Sequence, residues 1–572
     1  MKDFVSYLLS SGEKVFPDSN FKDSVTRATA FANEAYMLTL AYRWCGEKTR
    51  PPISISAECA GTEISVYKVG YVPVTGTDTG FNEVCAEERC PGMFPDVLLK
   101  RSAVPKICSN SDLRLPYYEK DEDNLITPTN GWQSVFIVIN PNGTKLKSGT
   151  YDLSIKITSL LDLTLLDEHI FSLEVIGESL PEAGLCYTNW FHYDCLEDMH
   201  SAPLYSERYF QILEKYLANA AQNGMNMLLT PCFTPPLDTC IGSERRCTQL
   251  VGIEKTDKGY SFDFSLLKRF VELCVKCGIK YFEHSHLFTQ WGAEHAPNIY
   301  ATVKGEYKRI FGWETKASGE EYRNFLKCYI PEFMAFMKSE GLSDRVFFHI
   351  SDEPTKENEK TYKKAVALVG DLLKDYPGGD ALEDFEFYEK GYVKTPVVSI
   401  SKADNFCGKC KDYWLYYTGG YYEGSGLEQC SNRLLTSKSY RARILGLHMY
   451  AMGAKGFLHW GYNYWYDRMT TGICDPKGDA CFYKQLPGAA YLVYPGIDDV
   501  HSSLREKYML QAINDYRALK LLEEYVGYNR VMEICEEYFG EKISVNTMAE
   551  SVTHMEAFRE MINNKIKSKG EV

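Results

Sequence analysis

The chain has 572 residues, of which 45% are hydrophobic and 24% charged, and it carries a net charge of -14. That length exceeds one ordinary domain and that composition belongs to a folded globular protein, which excludes wholesale disorder. The acidic balance, with no long Lys/Arg run, excludes a general polyanion-binding surface and so argues against nucleic acid as a partner.

Residues 1–14 hold an early acid and no apolar stretch of signal length, and no apolar run is long enough to span a membrane. Nineteen cysteines scattered through such a chain read as reduced thiols, which points to the cytoplasm. Residues 1–180 read as an all-β region. Tyr151, Leu153, Ile155 and Ile157 alternate with Asp152, Ser154, Lys156 and Thr158, the period of a half-buried strand. A second strand covers 132–139, and Pro141-Asn142-Gly143 after it reads as a hairpin turn, a better reading of Asn142-Gly143-Thr144 than a glycosylation acceptor. The acidic stretch 118–124 reads as a solvated loop. Several short strands and no long helix predict an N-terminal β-sandwich.

Near residue 181 strands begin to alternate with helices. Ser206 is placed to cap a helix whose Tyr209, Phe210, Leu213, Leu217 and Ala220 recur at helical spacing, with Gly224 beyond its end. A strand over 226–230 follows, then a helix over 265–277 closed by Gly278, a strand over 279–282, a helix over 322–339, a strand over 345–350 and a helix over 357–373. Strands over 395–400, 413–417 and 456–460, with a helix over 438–452, continue the series. This repetition across 181–500 predicts a parallel (β/α)8 TIM-like barrel. Residues 501–572 read as a helical C-terminal segment packing on the barrel, with apolar residues at helical spacing over 504–526.

The chemistry gathers just past the strands. Val346 to Ser351 is a strand-like run that ends in Asp352-Glu353-Pro354, where the proline biases Glu353 towards extended backbone. Two carboxylates at the C-terminal end of a barrel strand suit acid/base work, although Asp and Glu equally suit the start of the next helix. His192 and Asp194 follow the first strand; His286, Gln290 and Trp291 follow the third; Asp380 lies near a fifth. Trp414 and Tyr416 sit in a later strand, and Trp460, Tyr462 and Asn463 end the last. Gathered on one rim, these residues supply the acids, amides and aromatic walls that a sugar site needs. His284-x-His286 is also compatible with a metal pair, and two C-x-x-C pairs occur about 130 residues apart, but no Cys/His spacing supports a metal centre and no phosphate-binding glycine loop follows a strand.

Several of these stretches together resemble a known group. Trp190 to Leu196, Leu229 to Asp238, His286 to Gly292, His349 to Pro354 and Phe457 to Asn463 are similar to the barrel called domain of unknown function 4091, the catalytic part of glycoside hydrolase family 123. Arg505 followed by Asp515-Tyr516 resembles a later signature of that family. The resemblance implies a retaining exo-β-N-acetylhexosaminidase acting on N-acetylgalactosamine, with no cofactor and with a small glycan bearing a terminal 2-acetamido sugar as its partner. It implies that the substrate's own acetamido group is the nucleophile, that Asp352 orients that group, and that Glu353 is the general acid and base. His192, Asp194, His286, Gln290, Trp291, Trp414, Tyr416, Trp460, Tyr462 and Asn463 are the expected substrate-binding set. A carbohydrate-binding barrel without turnover and a metal-dependent hydrolase using His284 and His286 are the competing readings.

Overall fold

The computed structural model describes residues 3–47, 50–75, 91–101, 126–237, 239, 242–418, 429–481 and 486–569, so the expected loop at 118–124 lies outside the described residues. The chain is multidomain, with an N-terminal sheet-rich region followed by a parallel-strand half-barrel domain. In the first region a five-stranded sheet runs in the order Phe4–Ser10, Tyr36–Trp44, Gln133–Ile139, Ile64–Val74, Gly92–Arg101, and a four-stranded sheet in the order Arg27–Phe31, Leu165–Ile176, Gly149–Ser159, Ile53–Cys59. The alternation in 151–158 has its cause here: Leu153, Ile155 and Ile157 share one buried core with Leu38, Leu40, Val135 and Ile137 of the other sheet, while their neighbours face outward. The turn after Ile139 forms as its residues predict, with Asn140 and Gly143 at positive φ and Asn140 Oδ1 accepting the Thr144 N–H. It is not a hairpin, because the strands on either side belong to different sheets and the turn carries the chain across the core.

Eight parallel strands build the second domain: Cys186–Asn189, Met227–Thr230, Tyr281–His284, Val346–Phe348, Ala381–Leu382, Val397–Ser399, Trp414–Tyr416 and Gly456–His459. The first pairs with both the second and the eighth, so the strands that begin and end the series in chain order lie side by side at the middle of the sheet. The ladder is interrupted between the fourth and fifth strands, where an isolated parallel bridge joins Phe348 to Gly378. Gly379 beside it touches the opposing chain so closely that a Cβ would lie 1.8 Å from the Thr395 carbonyl oxygen.

The helices outside the strands follow the sequence pattern. Ser206 caps Glu207–Gln222 by accepting the Tyr209 N–H at 3.2 Å, and Gly278 closes Ser265–Cys277 in the left-handed region. A further four-stranded sheet, made of Gly252–Thr256, Gly259–Asp263, Ile299–Val303 and Glu306–Phe311, is built from the loops after the second and third strands. Those strands are five or six residues long, and three of them bury at most one side chain each, so they carry little apolar alternation to read.

The C-terminal helices tie the two regions together. Leu504–Val526 packs on Leu445–Met452 and also on the outer face of the five-stranded sheet, where Leu504 and Tyr508 meet Val69, Leu98 and Phe136. On the last helix, Val552–Lys567, Arg559 pairs with Glu34 and Asp515 at 2.7 Å each, and Arg443 pairs with Asp515 and with Glu556 at 2.7 and 2.8 Å. These side chains are buried except for Glu556, and mutual pairing is what makes their desolvation tolerable. Among the described residues no helix is long and apolar enough to cross a membrane.

Candidate active site

A cavity of about 280 Å³ opens at the C-terminal ends of the parallel strands, small for ligand sites, which run to about 300–1,000 Å³, and sized for one sugar ring. Trp190 follows the first strand, Leu237 comes from the loop after the second, Gln290 and Trp291 follow the third, and Asp352 and Glu353 follow the fourth. Ala381, Tyr416, Thr418, Leu458 and Trp460 complete the wall from the fifth, seventh and eighth.

The choice between helix cap and cavity for the two acids is settled by the turn that follows them. Thr355 and Asn358 form the reciprocal capping box ahead of Glu359–Leu373, and Asp352 and Glu353 line the cavity. Glu353 is not extended, as Pro354 predicts, but left-handed, with φ of 44°. Trp291, Gly292 and Ala293 in the facing loop are left-handed too. The Trp291 N–H bonds to the Asp352 carbonyl at 2.9 Å and the Glu353 N–H to the Ala381 carbonyl at 3.1 Å, so neighbouring chain on both sides holds a conformation that the local sequence disfavours.

Burial pushes the Glu353 carboxyl above the ordinary range; the Tyr416 hydroxyl, which donates to it at 3.0 Å, and the Trp291 indole pull it back, and the nearby Glu383 charge raises it. Replacing Tyr416 with Phe removes one of those two donors. The alkaline limb of the kcat/KM profile is then expected to move to higher pH, which a pH–rate series on the variant measures. Gln290 is buried at the cavity wall with its amide nitrogen unpartnered, a donor left for a ligand.

The other expected binding residues stand behind the wall. Asp194 makes a bidentate pair with Arg245, whose remaining nitrogen holds the Pro235 and Leu237 carbonyls and so braces the loop that carries Leu237. His192 and Asn463 exchange backbone and amide bonds at 2.9 and 3.0 Å, and the His192 ring meets the Trp460 carbonyl. Tyr462 turns outward to Glu506 and Asn219. Trp414 lies two residues below Tyr416, stacked on Phe347 at 4.6 Å in the core of the strand layer. His286 stacks face to face on His349 at 4.6 Å. Its strand neighbour His284 faces the other way, bonded to the Ser285 carbonyl and the Tyr329 hydroxyl, so the two imidazoles do not converge on one point. Among the described residues no group of three metal-ligating side chains forms. Arg505 and Asp515 are also remote from the cavity, paired with Asp96 and with Arg443 and Arg559.

A residue that the motifs did not single out lies at the centre. Glu283 is a fully buried carboxylate within the third strand, accepting from Thr188, from the Trp190 indole at 2.9 Å and from His349 at 2.9 Å. An acid inside an otherwise apolar strand was the signal that could have found it.

The catalytic-domain description "Glycoside hydrolase 123, catalytic domain" matches residues 190–522, more than half of the chain. The chain belongs to glycoside hydrolase family 123. It is therefore a glycoside hydrolase. A solved family 123 glycoside hydrolase from Clostridium perfringens, described in terms of glycolipid glycan hydrolysis, is 13% identical with a TM-score of 0.70; the match covers 99% of this chain and 97% of that one, and it shows a shared fold. A family 39 glycoside hydrolase from Bacteroides cellulosilyticus WH2 is 10% identical with a TM-score of 0.30, covering 86% of this chain and 81% of that one. No curated protein matches the chain.

Proposed function

We propose that this family 123 hydrolase is a retaining exo-β-N-acetylhexosaminidase that removes terminal β-linked N-acetylgalactosamine with the help of the sugar's own 2-acetamido group. The observation that carries this is the adjacency of Asp352 and Glu353 on one turn: among the described residues lining the cavity, no other carboxylate stands across the sugar to serve as a protein nucleophile. Glu353, whose protonated form is favoured by burial, gives its proton to the glycosidic oxygen as the C1–O bond breaks, while the acetamido oxygen closes on C1. Asp352 accepts the acetamido N–H and balances the positive charge of the oxazolinium ring. Glu353 then takes a proton from the water that attacks C1, and two inversions give retention. Gln290, Trp291, Tyr416 and Trp460 are the substrate-binding residues of this reading, with Trp190 beside them. The same reading takes the domain as a full (β/α)8 barrel behind a β-sandwich, and places the chain in the cytoplasm acting on short imported glycans. Glycans of the glycolipid kind named for the Clostridium perfringens relative are the natural first substrates to try.

A panel of aryl glycosides tests it. The β-N-acetylgalactosaminide is expected to be cleaved with retention, the β-galactoside to be inert, and a chelator to change nothing. Equal cleavage of the sugar lacking the acetamido group sinks the mechanism. Binding without turnover returns the chain to a carbohydrate-binding role, and loss of rate on chelation to a metal-dependent hydrolase.

A further inference from the structure

Beneath the cavity floor lies a buried relay that the reaction scheme above does not use. His349 Nε2 meets Glu283 at 2.9 Å, and its Nδ1 faces Asp380 at 3.7 Å. Glu283 in turn holds the indole of the wall residue Trp190. Asp380 accepts the backbone N–H groups of Ile350 at 2.8 Å and Ser351 at 3.2 Å, together with the Tyr362 hydroxyl, and Ser351 Oγ donates to the Thr289 carbonyl one residue before Gln290. Each of Glu283, His349 and Asp380 is at most 1% exposed. We propose that His349 is a positioning residue for the Asp352-Glu353 turn: by bridging Glu283 and Asp380 it fixes the wall at Trp190 and the backbone just before the two acids in one register.

The arrangement needs such a bridge. Two buried carboxylates so close together are stabilised by a cation between them, and His349 reaches both, hydrogen-bonded to Glu283 at 2.9 Å and within ion-pair distance of Asp380 at 3.7 Å. Burial works against charging the ring, yet the two acids prevail and push it up to about 9. Of the rings around it, Trp190, Phe347 and His286, only His286 can titrate, and burial and the charge on His349 hold its pKa well below the usual imidazole range, so it offers a flat surface without competing charge. The backbone that His349 steadies through Asp380 leads within two residues to Glu353, whose left-handed conformation relaxes unless its anchors hold.

The proposal rests on the glycosidase reading for its kinetic consequence and not for its structural one, so two measurements are paired. In His349→Gln, hydrogen exchange of the 346–356 segment is expected to quicken about tenfold or more while exchange in the N-terminal sheets is unchanged. On the aryl β-N-acetylgalactosaminide, kcat falls about thirtyfold or more with KM within about threefold, the split expected when alignment rather than binding is lost. Should the buried acids prevent His349→Gln from folding, Asp380→Asn keeps the shape and carries the same expectations. Unchanged exchange at the turn, or unchanged kcat in a folded variant, overturns the proposal. A wild-type protein inert on every glycoside of the panel sinks the assigned reaction instead, and the exchange measurement then decides this inference alone.

Discussion

Glu353→Gln is expected to lower kcat/KM on an aryl β-N-acetylgalactosaminide with a poor leaving group by about 10²–10⁴-fold, the range general acid catalysis supplies. The amide keeps the volume of the side chain and an oxygen to accept from Tyr416, so the fold and the cavity survive and the lost property is the proton. The loss therefore depends on the leaving group. A dinitrophenyl aglycone departs without protonation and recovers most of the first step, whereas a methoxyphenyl aglycone does not. Parallel assays of the two substrates check this; equal losses on both would show that Glu353 binds the sugar and donates nothing.

Asp352→Asn is expected to cost about 10²–10³-fold in kcat, comparable to removing one group that stabilises developing charge in a closed site. In the proposed mechanism the substitution removes negative charge from the position where the acetamido nitrogen becomes cationic, while Trp190, Gln290 and Trp460 still line the cavity. Affinity for a thiazoline that mimics the cyclised intermediate falls with kcat, while KM changes little. Near-normal turnover, or a thiazoline bound as tightly as in the wild type, places Asp352 outside the reaction.

Much of this architecture is legible in the residues themselves. The helices with strong periodicity and clear ends, such as the one begun at Ser206 and the one stopped at Gly278, fall where their caps put them. The strand ends deliver their next residues to one rim because parallel strands share a direction, which is why Gln290, Asp352, Tyr416 and Trp460 meet although 170 residues separate the first from the last. What a linear reading loses is facing. Trp414 and Tyr416 share one face of a strand, yet only the latter reaches the cavity, because depth along the strand direction leaves no trace in period-two alternation. Tyr462 and Asn463 follow the last strand as closely as Trp460 does, and turn to Glu506 and His192 instead. The left-handed backbone at Glu353 runs against its proline neighbour, since contacts with Trp291 and Ala381 outweigh a local preference. Glu283 escaped because its role is written in three partners drawn from distant segments and not in any motif.

Arg559 and Glu34 are separated by 525 positions and meet in the dry seam between the last helix and the first sheets. During synthesis the sheets that carry Glu34 emerge long before the guanidinium that neutralises it. Until then Glu34 and Asp515 lack that partner, and the seam between the sheets and the catalytic domain stays wet. Docking of Val552–Lys567 is thus the step that closes the seam, and a variant lacking that helix is expected to leave Glu34 facing the seam without its guanidinium.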